Sequence, residues 1–462
     1  MSGAGRAKLV LRAQEALLGR PTFACLEALN ASQWLPRDAV LEIQRQALNR
    51  LLASALAYCP WHGARLRAAG LARDIVTGRV GREDLRALPP MTRHDARQHG
   101  ALMRWSAVPG GAQAYSTGGS SGEPLIFHFG RARQAADAAC RLRARSWWGV
   151  EPGAREAYLW GAPRELSGAD WVKRWRDRLV NHRLFNAFEL TPARMDEYLL
   201  TLRRWRPASL YGYASSLALF ADHLQARGLM QPLPGLKVIC TTGEPLLPDQ
   251  RASIEAAFGV PVANEYGCRD GGLLAHEAPG GALLVMSEHI MLELLDADGD
   301  PVAPGATGEV VVTNLASVAQ PFIRYRTGDF ARAAAAPDAA GRGLEVLDEV
   351  SGRSTDFVRT ADGRVMHALA LIYELRAVPG IRKFRCEQFS LDRFRVQLVT
   401  GAGWQVASRE QIRQQLAARL GATTRIEIDE VPAIPPLPSG KERQVISHLA
   451  APAAPSIWKA SS

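Results

Sequence analysis

The chain has 462 residues, 47% of them hydrophobic, six cysteines and a formal charge of +10 with a pI near 9.6. That length buries a large core and favours more than one domain, while arginines scattered without a basic block argue against a nucleic-acid partner. With no CxxC pair and no apolar run of membrane length, the composition also excludes a disulfide framework, a zinc ribbon and a transmembrane span.

The opening MSGAGRAKLVLRAQEALLGR has too short and too interrupted an apolar stretch for a signal peptide, so the expected location is the cytoplasm. Residues 1–110 read as mostly helical. Ile43, Ala47, Leu51 and Ala55 fall on one helical face and Pro60 ends the run, Thr92 suits an N-cap, and Trp61 and His62 suit packing.

The stretch YSTGGSSGEPL at 115–125 then concentrates backbone freedom and hydroxyls. Gly118, Gly119 and Gly122 can turn their N–H groups toward one point, and Ser116, Thr117, Ser120 and Ser121 add donors, an arrangement that suits phosphate oxygens. AQAY before the loop and LIFHF after it predict a hairpin with the loop at its tip. A Walker loop is excluded, because Gly122 is followed by Glu123 and Pro124 instead of Lys and Ser or Thr. Gly118, Ser120 and Gly122 satisfy the G-x-S-x-G pattern of a nucleophilic serine, but that elbow runs straight into a helix and here a strand follows. On the residues alone, a flexible Gly/Ser turn without a ligand stays open.

From 111 to about 350, short apolar runs alternate with helical stretches, the pattern of an α/β core. Strands are expected at 157–162, 182–188 and 236–242, and helices at 131–147, 192–205, 215–227 and 248–258. Tyr213 and Ser215 are candidates for a pocket wall, with an N-cap as the other reading of Ser215. TTGEPL reads as a strand-to-helix turn capped by Thr242. In EYGCRDGG, Tyr266 offers a ring to stack on a base and Asp270 a carboxylate for a metal, while Arg269 suits a phosphate, a carboxylate or a neighbouring acid. Cys240, Cys268 and His276 are either a metal site or ordinary buried side chains. YRTGD ends a strand with Asp329, able to accept from two ribose hydroxyls or simply to sit in a turn.

Beyond GRSTD at 352–356 a domain of roughly a hundred residues is expected, with helices at 367–377 and 407–420 and strands at 381–389, 393–400 and 424–431. The loop PPLPSGKERQVIS delivers one lysine, Lys441, and 451–462 reads as a disordered tail.

Six strings in order, TGGSSGEP, TTGEPL, EYGCRDGG, YRTGD, GRSTD and PSGK, resemble the signatures of the adenylate-forming superfamily, in the version of the phenylacetate-CoA ligases and their CapK-like relatives. The resemblance covers most of the chain. It implies an α/β (α+β multidomain) protein: a helical region to 110, an AMP-binding core over 111–351 with a small β-barrel at 282–350, and a mobile C-terminal lid over 352–450. It further implies ATP held by Thr117, Gly118, Gly119, Ser120, Ser121 and Gly122. Gly243, Glu244 and Pro245 would lie against the adenine, with Tyr266 and Gly267 beside them and Asp329 and Arg353 at the ribose. Asp270 would hold Mg²⁺, although the usual Thr and Glu are replaced here by Arg269 and Asp270, so the carboxylate is a methylene shorter. Lys441 is the implied catalytic residue, bridging the carboxylate and the α-phosphate. The hinge position two after Arg353 is Thr355, where relatives often carry an acidic residue or Lys. The implied activity is ATP-dependent activation of a small-molecule carboxylic acid as acyl-AMP, with coenzyme A as acceptor. The alternatives are an amine, a carrier protein or a saccharide as acceptor, or a nucleotide-binding protein without catalysis, against which the presence of Lys441 argues. Neither the identity of the acid nor the oligomeric state is written in these motifs.

Overall fold

A computed structural model describes residues 3–116, 125–160, 176–187, 190–353, 357–360, 365–367, 369–435 and 444–449. The chain divides into two units: Met1–Leu294 with Val302–Thr327 and Ala331–Val350, and Leu295–Pro301 with Gly328–Phe330 and Ser351–Ser462.

The first unit opens with helices, among them Gly3–Leu17, Thr22–Ser32 and Arg37–Tyr58. In the last of these Val40, Ala47, Leu48, Leu51, Leu52 and Ala55 are buried on one stripe, and Pro60 starts a new helix at a position where its missing N–H costs nothing. Thr92 caps the helix Arg93–His99 in a capping box, its Oγ1 accepting from the Asp95 amide at 3.2 Å while Asp95 accepts from the Thr92 amide at 2.7 Å. His62 is fully buried, within 2.9 Å of the Pro321 carbonyl, and burial lowers its imidazole to about 3, so it serves as a neutral packing residue.

Strands β1 (Ala112–Ser116) and β2 (Ile126–Gly130) pair antiparallel with Ser116 opposite Ile126, so the glycine loop joins the two strands of a hairpin. Five parallel strands follow, β3 (Glu156–Leu159), β4 (His182–Phe185), β5 (Ser209–Tyr213), β6 (Val238–Thr242) and β7 (Val262–Cys268), in the spatial order β4-β3-β5-β6-β7. Every residue of β6 is buried, as expected of a strand covered on both faces. The run LYGY, outside the strands that local patterning predicts, forms most of β5. Gly212 explains why it is a strand: a Cβ there would lie 2.7 Å from the Leu159 carbonyl, so the residue that weakens the strand signal is the one that lets β5 pack beside β3. Next, β8 (Gly272–Glu277) turns back antiparallel to β7. β9 (Leu283–Val285), β10 (Ile290–Leu295), β11 (Thr307–Asn314), β12 (Tyr325–Ala333) and β13 (Val346–Arg353) continue in series as β10-β11-β12-β13-β9-β8. The strands of the segment expected to form a small barrel are therefore hydrogen-bonded in line with the parallel ones.

The helix Arg131–Ser146 meets this sheet through buried charge. Glu156, at the start of β3, meets Arg145 at 2.8 Å, the Tyr158 hydroxyl at 3.3 Å and the Ser209 hydroxyl at 3.4 Å. Burial by itself would raise the Glu156 carboxyl, but Arg145 and then His182 outweigh it and hold it down at about 2. A carboxyl whose folded value lies below its unfolded one adds stability that is complete above about 4.5 and is lost as the pH falls through about 2. Glu156→Gln is therefore expected to cost about 3 kcal/mol at neutral pH. The gap between native and variant, measured by urea unfolding, should close across that acid window; a gap of constant size down to the bottom of it would show that the charge of Glu156 is not what stabilises the sheet.

In the second unit, β14 (Phe357–Arg359) pairs antiparallel with β15 (Val365–His367). β16 (Ile381–Ser390), β17 (Arg393–Thr400), β18 (Arg425–Glu430) and β19 (Val445–Ser447) form a sheet ordered β18-β17-β16-β19. Leu371 and Leu375 of the helix Leu369–Arg376, and Ile412 and Leu416 of the helix Ser408–Leu420, pack with Phe384, Phe394 and Val396 into a core of its own. Among the described residues no helix is long and apolar enough to cross a membrane.

Candidate active site

In an open parallel sheet the ligand crevice lies outside the carboxyl ends of the strands. Here β3, β5 and β6 run parallel, so Trp160, Tyr213 and Gly243 emerge at that same end. The Trp160 and Tyr213 rings stack at 4.1 Å with 19° between their planes. Gly243 has φ +75°, and a Cβ there would come within 3.2 Å of the Tyr213 ring and 3.9 Å of Trp160, so a side chain is strained by the backbone and crowds the Tyr213 ring.

The structure revises two local expectations nearby. Thr242 does not cap the following helix: its hydroxyl donates to Glu265 Oε1 at 3.0 Å, together with the Tyr211 hydroxyl at 2.7 Å. Ser215 is not an N-cap either, because Tyr213 occupies that position of the helix Ala214–Ala226. The Ser215 amide instead donates to Glu244 Oε2 at 3.1 Å, which sets a carboxylate against the positive end of the helix. Pro245 beside it is exposed.

The turn after β7 is held from three sides. Gly267 must be glycine, since a Cβ would lie 2.6 Å from the Gly272 carbonyl. Arg133, only 1% exposed, donates to the Asp270 carbonyl at 2.7 Å and the Arg269 carbonyl at 3.1 Å, with its guanidinium 3.9 Å from the Phe129 ring centroid. Asn314 donates to the Gly271 carbonyl at 2.8 Å. The Tyr325 hydroxyl donates to Asp270 Oδ2 at 2.6 Å; burial, with the Asp270 charge added, pushes that phenol well above its ordinary value, so it stays a donor. Arg269 itself reaches the Ser116 carbonyl at 2.8 Å, which ties this turn to the root of the glycine loop. Tyr266 is 9% exposed and packs in the main core.

A single carboxylate can hold Mg²⁺ when phosphates and water supply the remaining oxygens. Asp270 fits that part: among the described residues its oxygens take one bond each, from Tyr325 and from the Gly271 amide at 3.2 Å, which leaves each a lone pair. No group of three or more His, Cys, Asp or Glu able to hold a metal occurs among the described residues. Cys240 is buried with its thiol pushed up to about 12, His276 lies 2.9 Å from the Glu277 carbonyl, and Cys268 accepts from the Gly271 amide at 3.2 Å.

Asp329 is buried on β12, in the Gly328–Phe330 segment of the second unit, and Arg353 ends β13. Thr117, Gly118, Gly119, Ser120, Ser121, Gly122, Thr355 and Lys441 lie outside the described residues. Trp160, Arg133, Asn314 and Tyr325 are not among the site residues that the motifs mark. Trp160 had a signal, as the aromatic residue closing the strand AYLW; the others act through contacts with distant segments that no local pattern marks.

Residues 358–448 match the family described as the CapK C-terminal domain. The chain is 22% identical over 339 residues to protein CapK of Staphylococcus aureus, covering 72% of this chain and 74% of that one. It is 23% identical over 335 residues to the phenylacetate-coenzyme A ligase of Thermus thermophilus, covering 70% and 72%. Among solved structures it is similar to a 2-hydroxyisobutyryl-CoA ligase in complex with 2-HIB-AMP, with a TM-score of 0.70 at 20% identity, over 90% of this chain and 91% of that one. That likeness shows the fold.

Proposed function

The chain is a relative of the phenylacetate-coenzyme A ligases and CapK with the fold of an adenylate-forming ligase, and from that premise we propose that it activates a small carboxylic acid with ATP and passes the acyl group to coenzyme A. The observation that carries this reading is the bond from Arg269 to the Ser116 carbonyl, which joins the end of β1, where the glycine loop begins, to the Asp270 turn across 153 residues of sequence. The carboxylate of the acid attacks the α-phosphorus of ATP, the bond to the pyrophosphate oxygen breaks, and acyl-AMP forms. The thiolate of coenzyme A then attacks the acyl carbonyl and AMP leaves. No side chain need act as nucleophile; the residues orient the reactants and offset charge.

In this reading the loop Thr117–Gly122 holds phosphate oxygens, Gly243 and Pro245 face the adenine with Tyr266 and Gly267 nearby, and Glu244 braces the Ala214–Ala226 helix beside them. Asp329 accepts from the ribose hydroxyls with Arg353 close by, and Lys441 bridges the carboxylate and the α-phosphate. Asp270, oriented by Tyr325, would hold Mg²⁺, which would offset phosphate charge. An aromatic or other apolar acid suits the Trp160–Tyr213 pair beside Gly243.

The test is mass spectrometry of products from an acid library incubated with ATP, with and without coenzyme A. Acyl-AMP without coenzyme A and a thioester with it are the expected products, and an absence of acyl-AMP for every acid would overturn the reading. In the same assay Asp329→Ala should raise the ATP requirement, and 2′-deoxy-ATP should serve the native enzyme poorly, by about 1.5 to 3 kcal/mol of lost charge-assisted bonding. Equal use of ATP and 2′-deoxy-ATP would remove Asp329 from the ribose.

A further inference from the structure

A cavity of about 460 Å³ lies among the helices Thr22–Ser32, Arg37–Tyr58 and Arg131–Ser146 and the segment Leu315–Val318. None of the residues placed at the candidate active site lines it. Its origin is legible in the packing. Ala132, Ala135 and Ala136 stand at i, i+3 and i+4 on one face of their helix, Ala47 joins the lining from another, and none has a side chain long enough to fill the space. Leu29, Ile43 and Leu51 complete an apolar wall. A concave apolar volume of this size with a few polar groups is the usual form of a ligand pocket.

The polar groups narrow the ligand. Cys25 Sγ lies 3.2 Å from His289 Nε2, and burial pushes the thiol up to about 11 and holds the imidazole below its ordinary value, so the pair is neutral. Glu288 Oε1 accepts from Arg143 at 2.6 Å and from the Ser32 hydroxyl at 2.6 Å, so Arg143 matches the carboxylate's charge, while Oε2 is buried with no hydrogen-bond partner among the described residues. Arg50 is different: it lines the cavity from an exposed position, and its guanidinium has no hydrogen-bond or ion-pair partner among the described residues. The lining thus combines apolar walls, a neutral hydrogen-bonding pair, a carboxylate whose charge Arg143 matches and, in Arg50, a cation without an ion-pair partner among the described residues.

The geometry points to a second ligand site in this cavity, one that takes an apolar monocarboxylate with its chain or ring against the alanines and leucines and its carboxylate at Arg50. A cationic or uncharged ligand of the same size leaves Arg50 unpaired, and a polyanion has nothing but Arg50 to meet. The acid can be the one the enzyme activates or a different one, since both present the same chemistry to these walls. The site stands apart from the adenylation reading, because no step of that reaction passes through it.

The experiment uses the full chain without ATP, so that it succeeds or fails independently of acyl-AMP formation. Cys25 is alkylated with iodoacetamide at mildly alkaline pH and its modification rate followed by peptide mass mapping, with octanoate or phenylacetate present and with octanol as the uncharged control. At about ten dissociation constants of a binding acid, alkylation of Cys25 should slow about tenfold. Arg50→Gln should raise the concentration of acid needed about fivefold, the scale of an exposed ion pair. Ala132→Phe, at an exposed position on the wall, should abolish the protection. Protection by octanoate alone supports a chain acid, and by phenylacetate alone a ring acid. The proposal is overturned if neither acid protects Cys25, or if octanol protects as well as the acids do and Arg50→Gln changes nothing.

Discussion

Lys441→Ala is expected to cut acyl-AMP formation by about 10²-fold or more, the scale of removing an electrostatic stabiliser from a developing charge. Carboxylate and triphosphate both carry negative charge, and attack on the α-phosphorus brings them together. A cation bridging the two therefore acts mainly in the transition state and leaves ground-state binding of ATP largely intact. The same variant given synthetic acyl-AMP and coenzyme A should still complete transfer, because that step needs no cation between a carboxylate and a phosphate. Thr355→Pro should show the opposite pattern if rotation of the C-terminal unit about GRSTD delivers Lys441 for one step and withdraws it for the other. Carboxylate-dependent pyrophosphate release and single-turnover thioester formation, measured in both variants, separate these outcomes. Parallel losses in both steps would sink the two-state domain scheme, and undiminished adenylation in Lys441→Ala would remove the residue from catalysis.

Arg133→Met should cost roughly 3 kcal/mol of stability and most of the adenylation rate together. Two carbonyls of the Asp270 turn lose a charged donor, and a buried site built around a planar fork is left with a thioether. Arg133→Lys should rescue little, since one ammonium cannot span the carbonyls of Arg269 and Asp270 as the guanidinium does. Urea unfolding and pyrophosphate release report the two losses. Tyr325→Phe is the companion: it removes the donor to Asp270 Oδ2 but leaves the backbone of the turn held, so it should lower activity with a smaller loss of stability. If Arg133→Met unfolds at the native urea concentration, the turn is held by Asn314 and Gly267 without it.

Local patterning by itself determined a good deal. The β1–β2 hairpin around the glycine loop, the helices Arg131–Ser146, Pro192–Trp205 and Pro248–Phe258, and the strands β16 and β17 fall where the periodicity and turn residues put them. These features depend on neighbours a few residues away, so the chain states them directly. The order of six short motifs carried the likeness to adenylate-forming ligases, because each string fixes a glycine turn or a charged group at a set point along the chain.

Only the tertiary structure decided which residues hold those motifs in place. β5 was hidden by Gly212, whose missing side chain weakens the strand pattern and serves a neighbour 53 residues earlier, Leu159. Thr242 and Ser215 read as caps from their positions alone, yet the approach of Glu265 and Glu244 gives the hydroxyl of one and the amide of the other different partners. Arg133 reaches Asp270 across 137 residues, and the cavity beside Cys25 is lined by alanines from separate helices. A buried charge or an unfilled volume is defined by everything packed around it, and that surrounding is assembled from segments whose proximity no local pattern states.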